Sequence, residues 1–114
     1  MSARLPTELW VQALLRRVQS GGASGFVLNK GDTLRGDILV KVARLDGTAR
    51  AFVPGFDLSG ARCFKDISDQ GLSADEPDID AYIARALNRD PDLWVIEIED
   101  RAGRHFLTEP IEAL

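Results

Sequence analysis

The chain has 114 residues and a formal net charge of −4 at pH 7, with 45% hydrophobic and 28% charged residues. This length predicts one domain, residues 1–114, with a hydrophobic core that needs neither metals nor disulfides. The acidic balance disfavours general electrostatic binding to DNA, RNA or anionic lipid, because such binding uses clustered Lys and Arg.

Cysteine content and hydropathy predict a cytoplasmic location. Cys63 is the single cysteine, so the chain cannot form an intramolecular disulfide, which is typical of a reducing compartment. Residues 1–10 lack the apolar run of a signal peptide. No stretch approaches the roughly 20 apolar residues of a membrane span. The sequence therefore predicts no membrane partner.

The first predicted element is an amphipathic helix over residues 8–20. Its apolar residues recur at helical spacing: Val11, Leu14, Leu15 and Val18. Thr7 is predicted as the N-cap, and Gly21 supplies a backbone conformation that ends helices. A short strand is predicted over residues 26–29.

A β-hairpin is predicted next. Residues 37–45 alternate, with Ile38, Val40 and Val42 on one face. Asp46-Gly47 is a strong hairpin-turn signal, so residues 48–53 are predicted to return as the partner strand. A weaker alternation predicts another strand over residues 62–67.

The second predicted helix begins at Pro77, because proline suits the first turn of a helix. Its apolar stripe consists of Ile79, Tyr82, Ile83, Ala86 and Leu87. Pro91 disfavours helical backbone at Asp90 and so ends the helix. The polar, acidic stretch over residues 69–76 is predicted to be a flexible loop.

A second hairpin is predicted at the end of the chain. The strand over residues 93–99 places Trp94, Ile96 and Ile98 on one face. Residues 100–103 are predicted to turn and residues 104–107 to return as a strand. The tail over residues 108–114 is predicted to be loosely ordered.

The element order predicts an α+β fold. We expect a two-layer sandwich with a mainly antiparallel sheet of five to six strands and two helices packed on one face. The opposite face of the sheet would then be exposed and available as a contact surface.

Complete catalytic and cofactor motifs are absent from the sequence. Lys30-Gly31 has the order opposite to that of a phosphate-binding P-loop, and the segment 22–25 is one residue short of a GxSxG nucleophile elbow. One His and one Cys cannot form a zinc site of the usual Cys/His spacing. We therefore predict no cofactor and no metal site.

An acidic strand followed by the single histidine supplies the catalytic candidates, Glu97, Glu99 and His105. These residues would suit a small metal-dependent hydrolase or nuclease. Glu97-Ile98-Glu99 nevertheless has glutamate where PD-(D/E)xK nucleases have lysine. The other interpretation is a solvated strand face in which Glu99 pairs with Arg104 or His105 across the hairpin.

Other polar residues suggest two further candidate sites. Cys63 and His105 would form a nucleophile and base if they met, although a strand cysteine is usually a buried hydrophobe. Four basic residues would form a positive strip on the strands: Lys41, Arg44, Arg50 and Arg62. Trp10 and Trp94 are predicted to join helix and sheet in the core.

Three segments carry a family resemblance: LWVQALLRRVQ, GDILVKVARLDGTARAF and DAYIARALNRDPDLWVIEIEDRAGRHFL. The most specific motifs are LVKVxRLDG and DPDLWVxEIEDRxGRHF. The chain resembles a family of small alphaproteobacterial proteins catalogued as domain of unknown function 1491. The resemblance covers nearly the whole chain except residues 55–75. The resemblance implies a bacterial origin and a single-domain size, and it supplies no catalytic residues that can be assigned to this chain.

These observations favour a binding or protein-interaction module without catalysis. Its expected partner is an unidentified protein or a second copy of the chain. The alternative is the hydrolase or nuclease that uses Glu97, Glu99 and His105.

Overall fold

The computed structural model describes residues 5–67 and 74–112. It contains two α-helices and a six-stranded mixed sheet, which confirms the α+β class. The elements are α1 Thr7–Ser20, β1 Ser24–Asn29, β2 Ile38–Ala43, β3 Ala49–Phe56, β4 Arg62–Asp66, α2 Glu76–Arg89, β5 Trp94–Glu99 and β6 Ile111–Glu112. Neither of these helices is long and apolar enough to cross a membrane. The predicted loop over residues 69–76 falls mainly on residues 68–73, which lie outside the described residues.

The strand order is β1-β5-β2-β3-β4-β6. The predicted β2–β3 hairpin is confirmed, with Val40 opposite Phe52. The prediction of a mainly antiparallel sheet is wrong. The sheet is mixed, because β2 and β5 at its centre are parallel, as are β4 and β6. The chain reaches β5 through α2, and a long crossover of this kind is what joins parallel neighbours.

The two helices lie on opposite faces of the sheet, so the predicted packing on one face is wrong. Val11 and Leu14 of α1 share a core cluster with Val40 of β2. Ile79 and Ile83 of α2 share another cluster with Leu39. Successive strand residues point to opposite faces, and all six residues of β2 are buried. Each face carries a helix, so the bare sheet face that we expected as a contact surface is not formed by the described strands.

The loop before β2 fixes the start of α1. Pro6 is the N-cap, and the predicted capping role of Thr7 is wrong. The Thr7 hydroxyl instead donates to the carbonyl oxygen of Gly36 at 2.9 Å. Trp94 is buried as predicted, and its indole N–H donates to the Asp32 carbonyl oxygen at 2.7 Å. These two hydrogen bonds hold the loop between the helix and the sheet.

Residues 104–112, which we call the C-terminal segment, cross the α1 face instead of returning beside β5. The predicted strand over residues 104–107 is therefore wrong. Phe106 has a left-handed backbone, with φ of 59°, which is incompatible with a continuing strand. Leu107 then enters the α1-side core. The Phe64 amide donates to the Pro110 carbonyl oxygen at 2.8 Å, and β6 pairs with β4. The predicted loose tail is therefore ordered through residue 112, and residues 113–114 lie outside the described residues.

Candidate functional site

A buried lysine ammonium lies between the sheet and the start of α2. The side chain of Lys41 is 3% exposed, and its Nζ lies 2.7 Å from Glu76, 2.7 Å from Asp80 and 3.0 Å from Glu97. Burial disfavours the charge of Lys41, but the hydrogen bonds to these three carboxylates outweigh it and raise the pKa of the ammonium above its ordinary value. We call these four residues the Lys41 centre.

Glu99 lies beside the Lys41 centre, on the same strand face as Glu97. Its burial, together with a hydrogen bond to Glu97, raises the pKa of the Glu99 carboxyl above its ordinary value. In the parallel register of β2 and β5, Glu97 lies opposite Lys41 and Glu99 lies opposite Ala43, two residues further along each strand. The shared face predicted for Glu97 and Glu99 is therefore confirmed. The Lys41 ammonium neutralises part of the negative charge of the surrounding carboxylates. Residues 5–67 and 74–112 contain no group of three or more His, Cys, Asp or Glu side chains that could hold a metal ion.

His105 lies on the opposite side of the sheet from Glu97 and Glu99. Its ring packs edge-on against Phe52 in the α1-side core, with ring centroids 5.3 Å apart. The Leu107 amide donates to His105 Nδ1 at 2.9 Å, and burial lowers the pKa of the imidazole. The three catalytic candidates therefore do not converge in one pocket.

The turn after β5 is closed by a local ion pair. Arg104 donates to Asp100 from its backbone N–H at 2.8 Å, from Nε at 3.0 Å and from a terminal nitrogen at 2.9 Å. The side-chain hydrogen bonds from Arg104 hold the pKa of the Asp100 carboxyl below its usual value. The predicted cross-strand pairing of Glu99 with Arg104 or His105 is wrong, because the return strand that it requires does not form.

The remaining sequence candidates are also separated. Cys63 is 2% exposed, as predicted for a buried hydrophobe, and burial raises the pKa of its thiol, which disfavours the thiolate. Cys63 and His105 line different cavities. Arg44 and Arg50 line the His105 cavity on the α1 face, whereas Lys41 points to the α2 face. The predicted strip of four basic residues is therefore divided between the two faces.

An exposed apolar edge is a feature that the sequence analysis missed. β1 is an outermost strand, and its consecutive residues Phe26, Val27 and Leu28 are 45%, 42% and 53% exposed. The pairing of β1 with β5 shifts register between Val27 and Asn29. No residue of β1 is charged. A short apolar run between small residues is equally typical of a core strand, so the sequence alone does not reveal its exposure.

Comparisons with known proteins identify relatives that match nearly all of the chain. Residues 5–108 match a family described as "Protein of unknown function (DUF1491)". The crystal structure of a DUF1491 family protein from Caulobacter crescentus is 51% identical, with a TM-score of 0.87, and the match covers 96% of this chain and 100% of that chain. The solution structure of protein Atu0922 from A. tumefaciens is 29% identical, with a TM-score of 0.75 and coverage of 96% and 98%. A search of curated proteins found no match.

Proposed function

Because the chain belongs to the DUF1491 family, whose description names no activity, we propose a function from the geometry. The protein is a protein-interaction module without catalysis, and it associates with a second copy of itself through the β1 edge. The β1 edge comprises residues Ser24–Asn29. The observation that carries this proposal is the exposure of Phe26, Val27 and Leu28 on an outermost strand.

The two edges of the sheet are built differently. An edge strand presents unpaired N–H and C=O groups, and natural edges are usually blunted by shortness, charge, proline or a bulge. β6 has two residues, one of them Glu112. β1 has six residues without charge or proline. Its pairing with β5 shifts register only after Val27, so Ser24 to Val27 form a regular ladder. This contrast supports β1 as the edge that is paired in the functional protein.

A second copy is the occupant that fits an uncharged strand best. Two-fold dimers are the commonest oligomers, and a two-fold axis perpendicular to the sheet pairs identical strands in antiparallel orientation. An axis at Phe26 would place the two copies of this ring opposite each other, and an aromatic pair contributes about 0.5–1.5 kcal/mol beyond its buried area. The two β5 strands would lie roughly 14 Å apart, at about 4.8 Å per strand spacing. That separation exceeds the ~8 Å Debye length at physiological salt, so Glu97 and Glu99 of the two copies would repel only weakly.

The geometry gives less support to the hydrolase alternative. That activity requires Glu97, Glu99 and His105 around one substrate, yet Lys41 holds Glu97 at 3.0 Å and His105 packs against Phe52 on the other face. The buried thiol of Cys63 is compatible with the cytoplasmic location that we retain in the proposal.

The test is the molar mass of the protein in solution over a range of concentrations, measured by light scattering and sedimentation. We expect a dimer that dissociates on dilution, and we expect Phe26→Lys to be monomeric because it places a charge on the paired edge. Leu58→Lys is the matched control, since Leu58 is a fully exposed apolar residue in the β3–β4 turn. A wild-type chain that is monomeric throughout, or a dimer that Phe26→Lys leaves intact, would overturn self-association through β1.

A further inference from the structure

A second surface feature, which no residue of β1 lines, is the cleft beside His105. It has a volume of about 400 Å³ and lies between the ends of β2, β3 and β4 and the C-terminal segment. Arg44, Arg50 and His105 line it, with Asp66. We call it the His105 cleft. The two arginines outweigh the one carboxylate there, in a chain whose net charge is −4.

The hydrogen bonding of His105 makes its ring a donor. Nδ1 accepts the Leu107 N–H, so in the neutral ring Nε2 carries the hydrogen. Contact with Phe52 fixes the ring, and burial favours its neutral form. His105 therefore offers an N–H, rather than a basic lone pair, to a ligand in the cleft.

Arg50 is held in place by a buried carboxylate. One of its terminal nitrogens lies 2.6 Å from Asp66, whose side chain is 4% exposed, while the Arg50 side chain is 51% exposed. A guanidinium has five N–H donors in a fixed plane, so this pairing leaves donors for a second anion. Such an arrangement positions Arg50 at little further entropic cost on binding.

Arg44 adds a second cation to the cleft. Within the described ranges, no carboxylate lies within salt-bridge distance of Arg44. Its aliphatic stem passes close to Gly103, where an added Cβ would lie 3.4 Å from the Arg44 Cδ. The stem is therefore supported by the turn after β5. The guanidinium interacts electrostatically with Asp46 of the β2–β3 turn but forms no salt bridge with it, so its N–H donors can bind a ligand.

We propose that the His105 cleft binds the phosphate group of a small organic phosphate, with Arg44, Arg50 and His105 as hydrogen-bond donors. Donors on three separate segments suit a tetrahedral oxyanion better than a planar carboxylate. Val42, Phe52 and Ile111 supply an apolar wall for the organic part of the ligand. The volume falls in the range of small-molecule sites and exceeds the size of a phosphate ion alone.

The test is an NMR titration of the full chain with phenyl phosphate at constant ionic strength, following the amides of Gly103, His105 and Leu107. We expect saturable shifts, tighter binding than for inorganic phosphate, and a rise in the pKa of His105 because a bound anion favours the imidazolium. His105 already faces Asp66, Arg44 and Arg50, so its titration in the free protein is the reference.

Arg44→Gln is the informative variant, because it leaves the Arg50–Asp66 pair intact. We expect it to weaken phenyl phosphate binding about tenfold, the effect of losing one charge-assisted hydrogen bond. Arg85→Gln, on the exposed side of α2, is the matched control and should bind normally. The absence of saturable shifts, an unchanged affinity in Arg44→Gln, or equal binding of benzoate would overturn the proposal.

Discussion

The Lys41 centre contains more negative than positive side chains. One buried ammonium faces the carboxylates of Glu76, Asp80 and Glu97. Glu99 is adjacent but is not among the carboxylates that pair with Lys41 in the described structure. Partial burial of Glu99 and the negative charges of Glu97 and Glu76 favour its protonated form, and together they outweigh the opposing attraction of Lys41.

This imbalance predicts that Glu99→Gln stabilises the protein at neutral pH. The pKa of Glu99 is raised in the folded state, so its contribution to stability is fully present below the unfolded pKa of about 4.5 and is lost as pH rises through the folded pKa. At neutral pH the ionised carboxylate therefore costs stability, and glutamine removes that cost. The measurement is the free energy of unfolding in urea at neutral pH and near pH 4, where the advantage of the variant should shrink.

Glu97→Gln is the control for this prediction, because it changes a carboxylate on the same strand face. Glu97 accepts from Lys41, so its loss should destabilise the protein at neutral pH, opposite in sign to Glu99→Gln. If both variants lost stability at neutral pH, Glu99 would be a favourable partner of the centre rather than a repelled neighbour.

The C-terminal segment acts as a structural element although it contains little regular structure. Glu109 accepts the Trp10 indole N–H at 2.7 Å, and Pro110 accepts the Phe64 amide at 2.8 Å. Glu112 lies 3.5 Å from the Cys63 sulfur. The segment therefore ties α1 and β4 together and covers the thiol.

Removal of residues 109–114 should destabilise the protein and expose Cys63. Loss of the acceptor for the buried Phe64 amide alone should cost about 1–3 kcal/mol. Alkylation of the thiol under native conditions should become faster, because Cys63 is 2% exposed in the full chain. Removal of residues 113–114 alone is the control and should leave alkylation slow. Equal alkylation rates in the long truncation and the full chain would show that other elements protect the thiol.

Elements with local signals were predictable from the sequence. The apolar spacing around Leu14 and the Asp46-Gly47 turn depend on neighbours in the chain, and α1 and the β2–β3 hairpin formed where predicted. The two-sided burial of the sheet also had a signal, because runs such as ILVKVA in β2 are typical of central parallel strands covered on both faces. The path of the chain after Gly103 had no local sequence signal, because Phe106 adopts a left-handed backbone conformation that is more usual for glycine.

At the scale of the whole molecule, the candidate site depended on contacts between distant segments. The alternation of β5 correctly placed Glu97 and Glu99 on one face, but Lys41, which pairs with Glu97, lies 56 residues away in sequence. The side of the sheet on which His105 lies is set by the crossing of the C-terminal segment, which propensity does not encode. The sequence therefore located the polar residues without showing which of them meet.

Hydrogen exchange across the sheet tests the proposed assembly as a whole. β2 and β5 are central, and β2 is buried along its full length, so their amides should exchange most slowly at every protein concentration. Among the strands of residues 5–67 and 74–112, β1 has a neighbour on one side only, so its outward-facing amides have no strand partner there. If a second copy pairs with this edge, amides near Phe26 should become more protected as the concentration rises, and Phe26→Lys should abolish that gain.

The β4 amides serve as an internal reference, because β4 lies between β3 and β6 and is remote from the proposed axis. Exchange in β1 that does not depend on concentration would contradict pairing through this strand.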